Sequence, residues 1–207
     1  MRTLIALIAT VAGVMPLARA VCAQSAYVLD RSNSRVMFRG RAFIQQIIGR
    51  SEELAGRVVM SGSDVRSLRG DVRFNVASIA TDPAVESEDL LKLFGGHRHP
   101  TITFQVDSVE RGADLGPWTV HGRLTMNGVT RPVAFFGQAN VSGRQVIASG
   151  TAGVDVREWG INPPRRFGGL IGMSPQITLS FRAEFRARSG GVQTTALSFP
   201  DRRSIQR

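Results

Sequence analysis

The sequence predicts an all-β, antiparallel fold, closed as a barrel or packed as a sandwich, with one short helix, and three observations predict it. Trp118, Val120, Leu124 and Met126 alternate with Thr119, His121, Arg123 and Thr125 and run into Asn127-Gly128, the pair that supplies two positive-φ positions for a tight hairpin. The same two-residue period returns at Ile102, Phe104 and Val106, and again at Ile177, Leu179, Phe181, Ala183 and Phe185. Turn signals at Ser61-Gly62-Ser63-Asp64, Gly112-Ala113-Asp114, Asn127-Gly128 and Ser142-Gly143 cut the chain into many strands with short connections. A sheet with one continuous apolar face cannot leave it in water, so the sheet curls onto itself or meets a second one.

Taken in order, residues 1–23 read as a secretory signal. Arg2 precedes an apolar run from Leu4 to Val14, then Pro16 and small residues, with cleavage expected after Ala23 or, failing that, Ala20. The run is short for a membrane span, which needs about 20 apolar residues. The only cysteine, Cys22, lies in this segment, and Val21 before it is larger than the residue a lipid-attachment signal wants. The expected destination is therefore the bacterial periplasm or the exterior. One domain follows, over 24–187, with strands near Tyr27 to Leu29, Arg35 to Ile48, Leu54 to Met60, Asp71 to Ala77, Thr101 to Val106, Trp118 to Met126, Pro132 to Val141, Val146 to Val156 and Gln176 to Ala187. Between Asp82 and Phe94 the spacing of Val85, Leu90, Leu91 and Phe94 is helical, opened by Asp82-Pro83 and closed by Gly95-Gly96. Gly160 to Gly172 is rich in Pro and Gly and reads as a long mobile loop, and 188–207 reads as a disordered polar tail.

Removing Arg2 and Arg19 with the signal lowers the net charge from +10 to +8, and Lys92 is the only lysine. Arg35, Arg39, Arg73, Arg123, Arg182 and Arg186 fall on polar phases of strands, where they serve solubility or meet an anionic membrane surface. No exposed aromatics interleave with them, so nucleic acid is not an expected partner. Self-association into a homodimer is left open. On a strand the spacing of His97 and His99 would put both on one face, as a metal pair needs, but no third ligand is placed beside them, and the other reading is a loop pair at a helix C-terminus, favoured there by the helix dipole; His121 sits on a polar phase. With no nucleophile elbow, zinc-protease helix or phosphate loop, neither an enzyme nor a cofactor is expected.

His99-Pro100-Thr101-Ile102-Thr103-Phe104, followed by Val120 to Val133 (VHGRLTMNGVTRPV), resembles the signatures of the YceI-like proteins, lipocalin-like bacterial polyisoprenoid-binding proteins. Tyr27-Val28-Leu29-Asp30, Ser34 to Phe38 and Val156 to Ile161 (VREWGI) add weaker support, while His99 and the stretch Glu86 to Asp89 depart from the family pattern. The resemblance implies an extended antiparallel barrel of eight strands with a short helix at one end, and a tunnel holding an isoprenoid or quinone-like lipid. The expected tunnel residues are Phe38, Phe74, Phe104, Trp118, Leu124, Ala148, Gly150, Ala152, Trp159 and Phe181, with Arg165 and Arg166 at a rim for the head group. The small phase Val146, Ala148, Gly150, Ala152, Val154 leaves space beside it unless large residues such as Trp118 and Phe181 fill it from across the barrel. In the first case the protein carries a lipid. In the second it is a packed, basic interaction module.

Overall fold

In the computed structural model, residues 24–42, 45–113, 116–163, 165–166 and 171–188 are described. The expected signal segment, the tail after Arg188 and Phe167 lie outside them. The strands are β1 (Gln24–Leu29), β2 (Arg35–Ala42), β3 (Gln45–Ser51), β4 (Ala55–Ser61), β5 (Arg69–Asn75), β6 (Ala80–Asp82), β7 (Thr101–Arg111), β8 (Trp118–Met126), β9 (Val129–Ser142), β10 (Gln145–Asp155), β11 (Arg165–Arg166), β12 (Ile171–Gly172) and β13 (Gln176–Ala187), with one helix, α1 (Ser87–Leu93).

The sheet closes on itself as an eight-stranded antiparallel barrel, because β1 pairs with β4 on one side and β13 on the other. Its first three staves are each broken in two: β1 continues as β2 along the same edge of β13, β3 continues as β4, and β5 as β6. Each stave then neighbours the next in sequence, which makes the barrel an up-and-down meander. The breaks fall at one level, at the 3-10 turns Arg31–Asn33 and Val76–Ser78 and at Glu52 to Leu54. Ser51 and Ser78 hydroxyls meet there at 2.7 Å. Outside the barrel, Arg186 bridges Asp30 at 2.8 Å and Glu184 at 3.0 Å, tying the first break to β13.

Two expectations about elements change. Arg35 to Ile48, read as one strand, is the β2–β3 hairpin, with Ala42 opposite Gln45. Ala42-Phe43-Ile44-Gln45 carries no Gly, Pro or Asn to betray a turn. The helix is shorter than the apolar spacing implied: Asp82 still belongs to β6, and α1 begins after Glu86, ending where Gly95 takes φ +63°. Within the Gly160 to Gly172 segment, Arg165–Arg166 pair with Ile171–Gly172.

Two buried clusters pack the two ends of the barrel. One, around Tyr27, Leu54, Val58, Met60, Val146 and Phe185, packs one end. The other, around Phe38, Val76, Leu90, Phe94, Met126, Val156, Trp159 and Ile161, seals the opposite end with α1 and the 3-10 turn Val156–Trp159. The β8–β9 hairpin clamps that plug: Trp159 Nε1 donates to the Leu124 carbonyl at 2.9 Å, Asn127 Nδ2 to the Trp159 carbonyl at 3.1 Å, and Arg131 Nε to the Glu158 carbonyl at 3.0 Å. Asn127 and Gly128 take φ +48° and +73°, the tight hairpin turn expected of them. A Cβ on Gly128 would stand 2.6 Å from His99 Cε1. Gly128→Ala is therefore expected to cost about 1–2 kcal/mol from the left-handed backbone alone, read as a lower urea midpoint; an unchanged midpoint would show that the hairpin tip is not fixed against His99.

Candidate functional site: an apolar cavity between two core clusters

Alternation along each strand makes the inner wall apolar, and the size of the inward residues decides where it is hollow. Register places Ala139 opposite Ala148, and Ala148 opposite Ala183, so three alanines stand side by side across β9, β10 and β13. A methyl group is the shortest side chain that keeps strand geometry, and three in a row leave the middle of the barrel unfilled. The row on one side, Val141, Val146 and Phe185, refills it. On the other side Gly137 and Gly150 lie next to Phe181, whose ring covers Gly150: a Cβ there would sit 3.0 Å from Phe181 Cε1 and 3.3 Å from the Phe136 carbonyl.

The resulting cavity offers about 130 Å³ to the centre of a water-sized sphere. At roughly 10–15 Å³ per water on that measure, it accommodates about ten water-sized groups, or about 300 Å³ of liquid volume. Its wall is apolar except for Ser51, which is satisfied by Ser78 and by the Glu53 amide, and the strand backbone at Arg50, whose exposed side chain lies on the outward phase of β3 with Met37 opposite. Nothing in the wall therefore asks a ligand for a hydrogen bond from inside, and such a cavity is dry or filled by apolar groups. A T-shaped relay of rings, Phe104 to Phe135 at 5.0 Å and Phe135 to Phe181 at 5.2 Å, borders it, and Phe38 meets Phe94 at 5.8 Å with the rings tilted to each other.

Of the residues singled out from sequence, Phe38, Phe74, Phe104, Leu124, Ala148 and Phe181 line this cavity. Trp118, Gly150, Ala152 and Trp159 do not: Arg111 sits 5.2 Å over the Trp118 ring, Gly150 is roofed by Phe181, Ala152 is buried elsewhere, and Trp159 is only 1% exposed within the plug. Arg165 and Arg166 form a two-residue strand paired with Ile171–Gly172, in the segment after Ile161. Sequence reading missed Phe135, Ala139 and Ala183. The first was visible as an apolar residue in β9, but the alanine row exists only once three registers are known.

The histidines are occupied elsewhere. His97 meets Glu88 at 3.2 Å, His121 meets Glu110 at 3.8 Å, and His99 packs against Gly128. Among the described residues no three His, Cys, Asp or Glu side chains gather as a metal site. Beside the plug, the Arg157 guanidinium holds the Asp155 carboxyl below its ordinary pKa by direct hydrogen bonding, on the outer surface and away from the cavity.

A closed up-and-down barrel of eight strands, plugged at one end and hollow along an apolar midsection, is a lipocalin-like barrel. The chain belongs to the YceI-like family, whose model matches residues 27–185. Solved structures share the fold at low identity. BcnA of Burkholderia cenocepacia is 14% identical, with 75% of this chain and 98% of that one covered at a TM-score of 0.62. A polyisoprenoid binding domain from Saccharophagus degradans, described as implicated in plant cell wall breakdown, is 14% identical over 79% and 99% of the two chains, at 0.60. The YceI protein of Campylobacter jejuni is 15% identical over 69% and 85%, at 0.55. No curated protein matches the chain. The family signature has an architectural meaning here: Gly122 makes room for the Phe104 ring, which a Cβ would approach to 2.5 Å, while His99, Asn127, Gly128 and Arg131 fasten the hairpin to the plug.

Proposed function

We propose that the chain is an exported, non-enzymatic carrier or sequestering protein for a long apolar lipid, a polyisoprenoid or isoprenoid quinone, held in the barrel interior. The observation that carries the reading is the apolar cavity above the Ala139–Ala148–Ala183 row. The polyisoprenoid-binding description of the Saccharophagus degradans domain, which has the same fold, supports the lipid class. The packed-module alternative loses ground to the cavity. Export rests on Arg2, the apolar run and the small residues to Ala23.

Magnitudes restrict the ligand. Ten buried carbons correspond to two prenyl units and contribute about 8 kcal/mol gross at about 0.8 kcal/mol per CH₂, against an estimated association cost of 4–15 kcal/mol. Firm capture needs a longer chain, which displaces the Phe104, Phe135 and Phe181 rings or continues past them. Its polar head stays outside, because the wall offers no free partner for it. Organic extraction of protein purified from a bacterial host, with mass spectrometry, is expected to yield a polyprenyl or quinone species. Clean protein that also takes up no added long-chain isoprenoid would end the carrier reading, and an intact mass starting at neither Val21 nor Gln24 would end the cleavage assignment.

A further inference from the structure

The outward phase of β2 carries Arg35, Met37, Arg39 and Arg41, and its neighbours add Arg182 from β13 and Arg50 from β3. Arg35 stands directly opposite Arg182, and Arg50 stands opposite Met37, diagonal to both Arg35 and Arg39. All five arginines are exposed. Like charges facing each other across two strands destabilise the pair unless an anion sits between them. The relief is not supplied internally: none of the five makes an ion pair or side-chain hydrogen bond among the described residues. The outward positions of β2, of β3 and of β13 from Gln176 to Arg182 hold no carboxylate; the nearest acids are Glu184, the next outward position of β13, which is already taken by Arg186 and Gln145, Glu52 just after β3, and Asp82 on the neighbouring β6, all at the margins. A solubility coat intersperses both signs, as Arg123 with Asp107 and Lys92 with Glu88 do elsewhere on this molecule.

We propose that this arginine face docks the protein on an anionic phospholipid bilayer, its guanidinium groups taking head-group phosphates. Guanidinium forks match phosphate oxygens in pairs, and a face spread over three adjacent strands presents several to one plane of phosphates at once. The inner phase of the same strands, Val36, Phe38 and Gly49, is wall of the cavity. Docking by this face therefore brings the hollow part of the barrel within one sheet thickness of the membrane. The face acts on phospholipid whatever the cavity contains, so the proposal stands or falls separately from the carrier reading.

Vesicle sedimentation tests it without any isoprenoid. The purified protein is mixed with phosphatidylcholine vesicles, alone or with about one-third phosphatidylglycerol, at about 0.05 M and about 0.5 M salt, conditions that change screening several-fold. It should sediment with the anionic vesicles at low salt, remain free with the neutral ones, and be released at high salt. Each arginine brought to an anionic surface is worth about fivefold in partition. The variant with Arg35, Arg39, Arg50 and Arg182 all changed to Gln should therefore bind at least fivefold more weakly than a control with Arg57, Arg66, Arg73 and Arg98 changed to Gln, which loses the same charge elsewhere. A smaller difference between the two variants reduces the effect to net charge and overturns the proposal. So does wild-type protein that ignores anionic vesicles, or that binds an acidic polypeptide or DNA in their place.

Discussion

Truncating Trp159 to alanine is expected to lower the stability of the barrel by about 3–5 kcal/mol, the range for a large buried aromatic. The indole is 1% exposed among Met126, Val156, Ile161 and Phe94, and its Nε1 satisfies the Leu124 carbonyl. Removing it hollows the plug and orphans an acceptor in the same step. For a chain of this length the melting temperature should fall on the order of 10 °C. Trp159→Phe restores most of the volume but not the bond and should cost only about 1–3 kcal/mol. Equilibrium urea unfolding separates the two. A loss below about 1 kcal/mol for the alanine variant would mean that the plug is not packed as described.

The second large effect concerns the cavity. Ala148→Phe places six more carbons where about ten water-sized groups fit, so the new ring enters free space rather than a packed core. The protein should lose long-chain isoprenoid on extraction while its melting temperature holds or rises, because the usual overpacking cost of about 1–3 kcal/mol does not arise. Gly150→Phe is the contrast: the first added carbon already meets Phe181 at 3.0 Å, and the ring has nowhere to go. It should destabilise the fold. If both variants melt alike, the alanine row is not the floor of an open space. If Ala148→Phe retains its lipid, the lipid sits elsewhere.

The contrast also shows what was legible in the sequence. Period-two alternation disclosed nearly every stave and its inward face, since each strand buries one side and wets the other, and Asn127-Gly128 disclosed the hairpin that holds the plug. The small phase of β10 was equally plain, yet it did not say which of its residues faced a void. That depends on the partners, alanines for Ala148 and a phenylalanine for Gly150, and register between distant segments is not written in either strand alone. Trp159 misled for a different reason. Its neighbourhood of Gly and Pro reads as loop, and only the long-range bond to Leu124 reveals a core residue. The β2–β3 hairpin left no trace because the sequence between Ala42 and Gln45 carries no Gly, Pro or Asn.

The meander has a consequence for how the molecule assembles. Seven of its eight seams join staves consecutive in the chain, so their formation closes short loops only. The eighth joins β1 and β2 to β13 across about 150 residues, and it alone carries a large entropic cost of closure, about 4–5 kcal/mol for a loop of that length. An open, curled sheet is thus the natural precursor, and the barrel exists only after its two ends find each other. The Asp30–Arg186 bridge and the Ser34 hydroxyl, which receives the Glu184 amide at 2.9 Å, stand on that seam. They stand on the pairing of greatest sequence separation, which raises the chain's mean contact order, and an interior space becomes a defined place only once they engage.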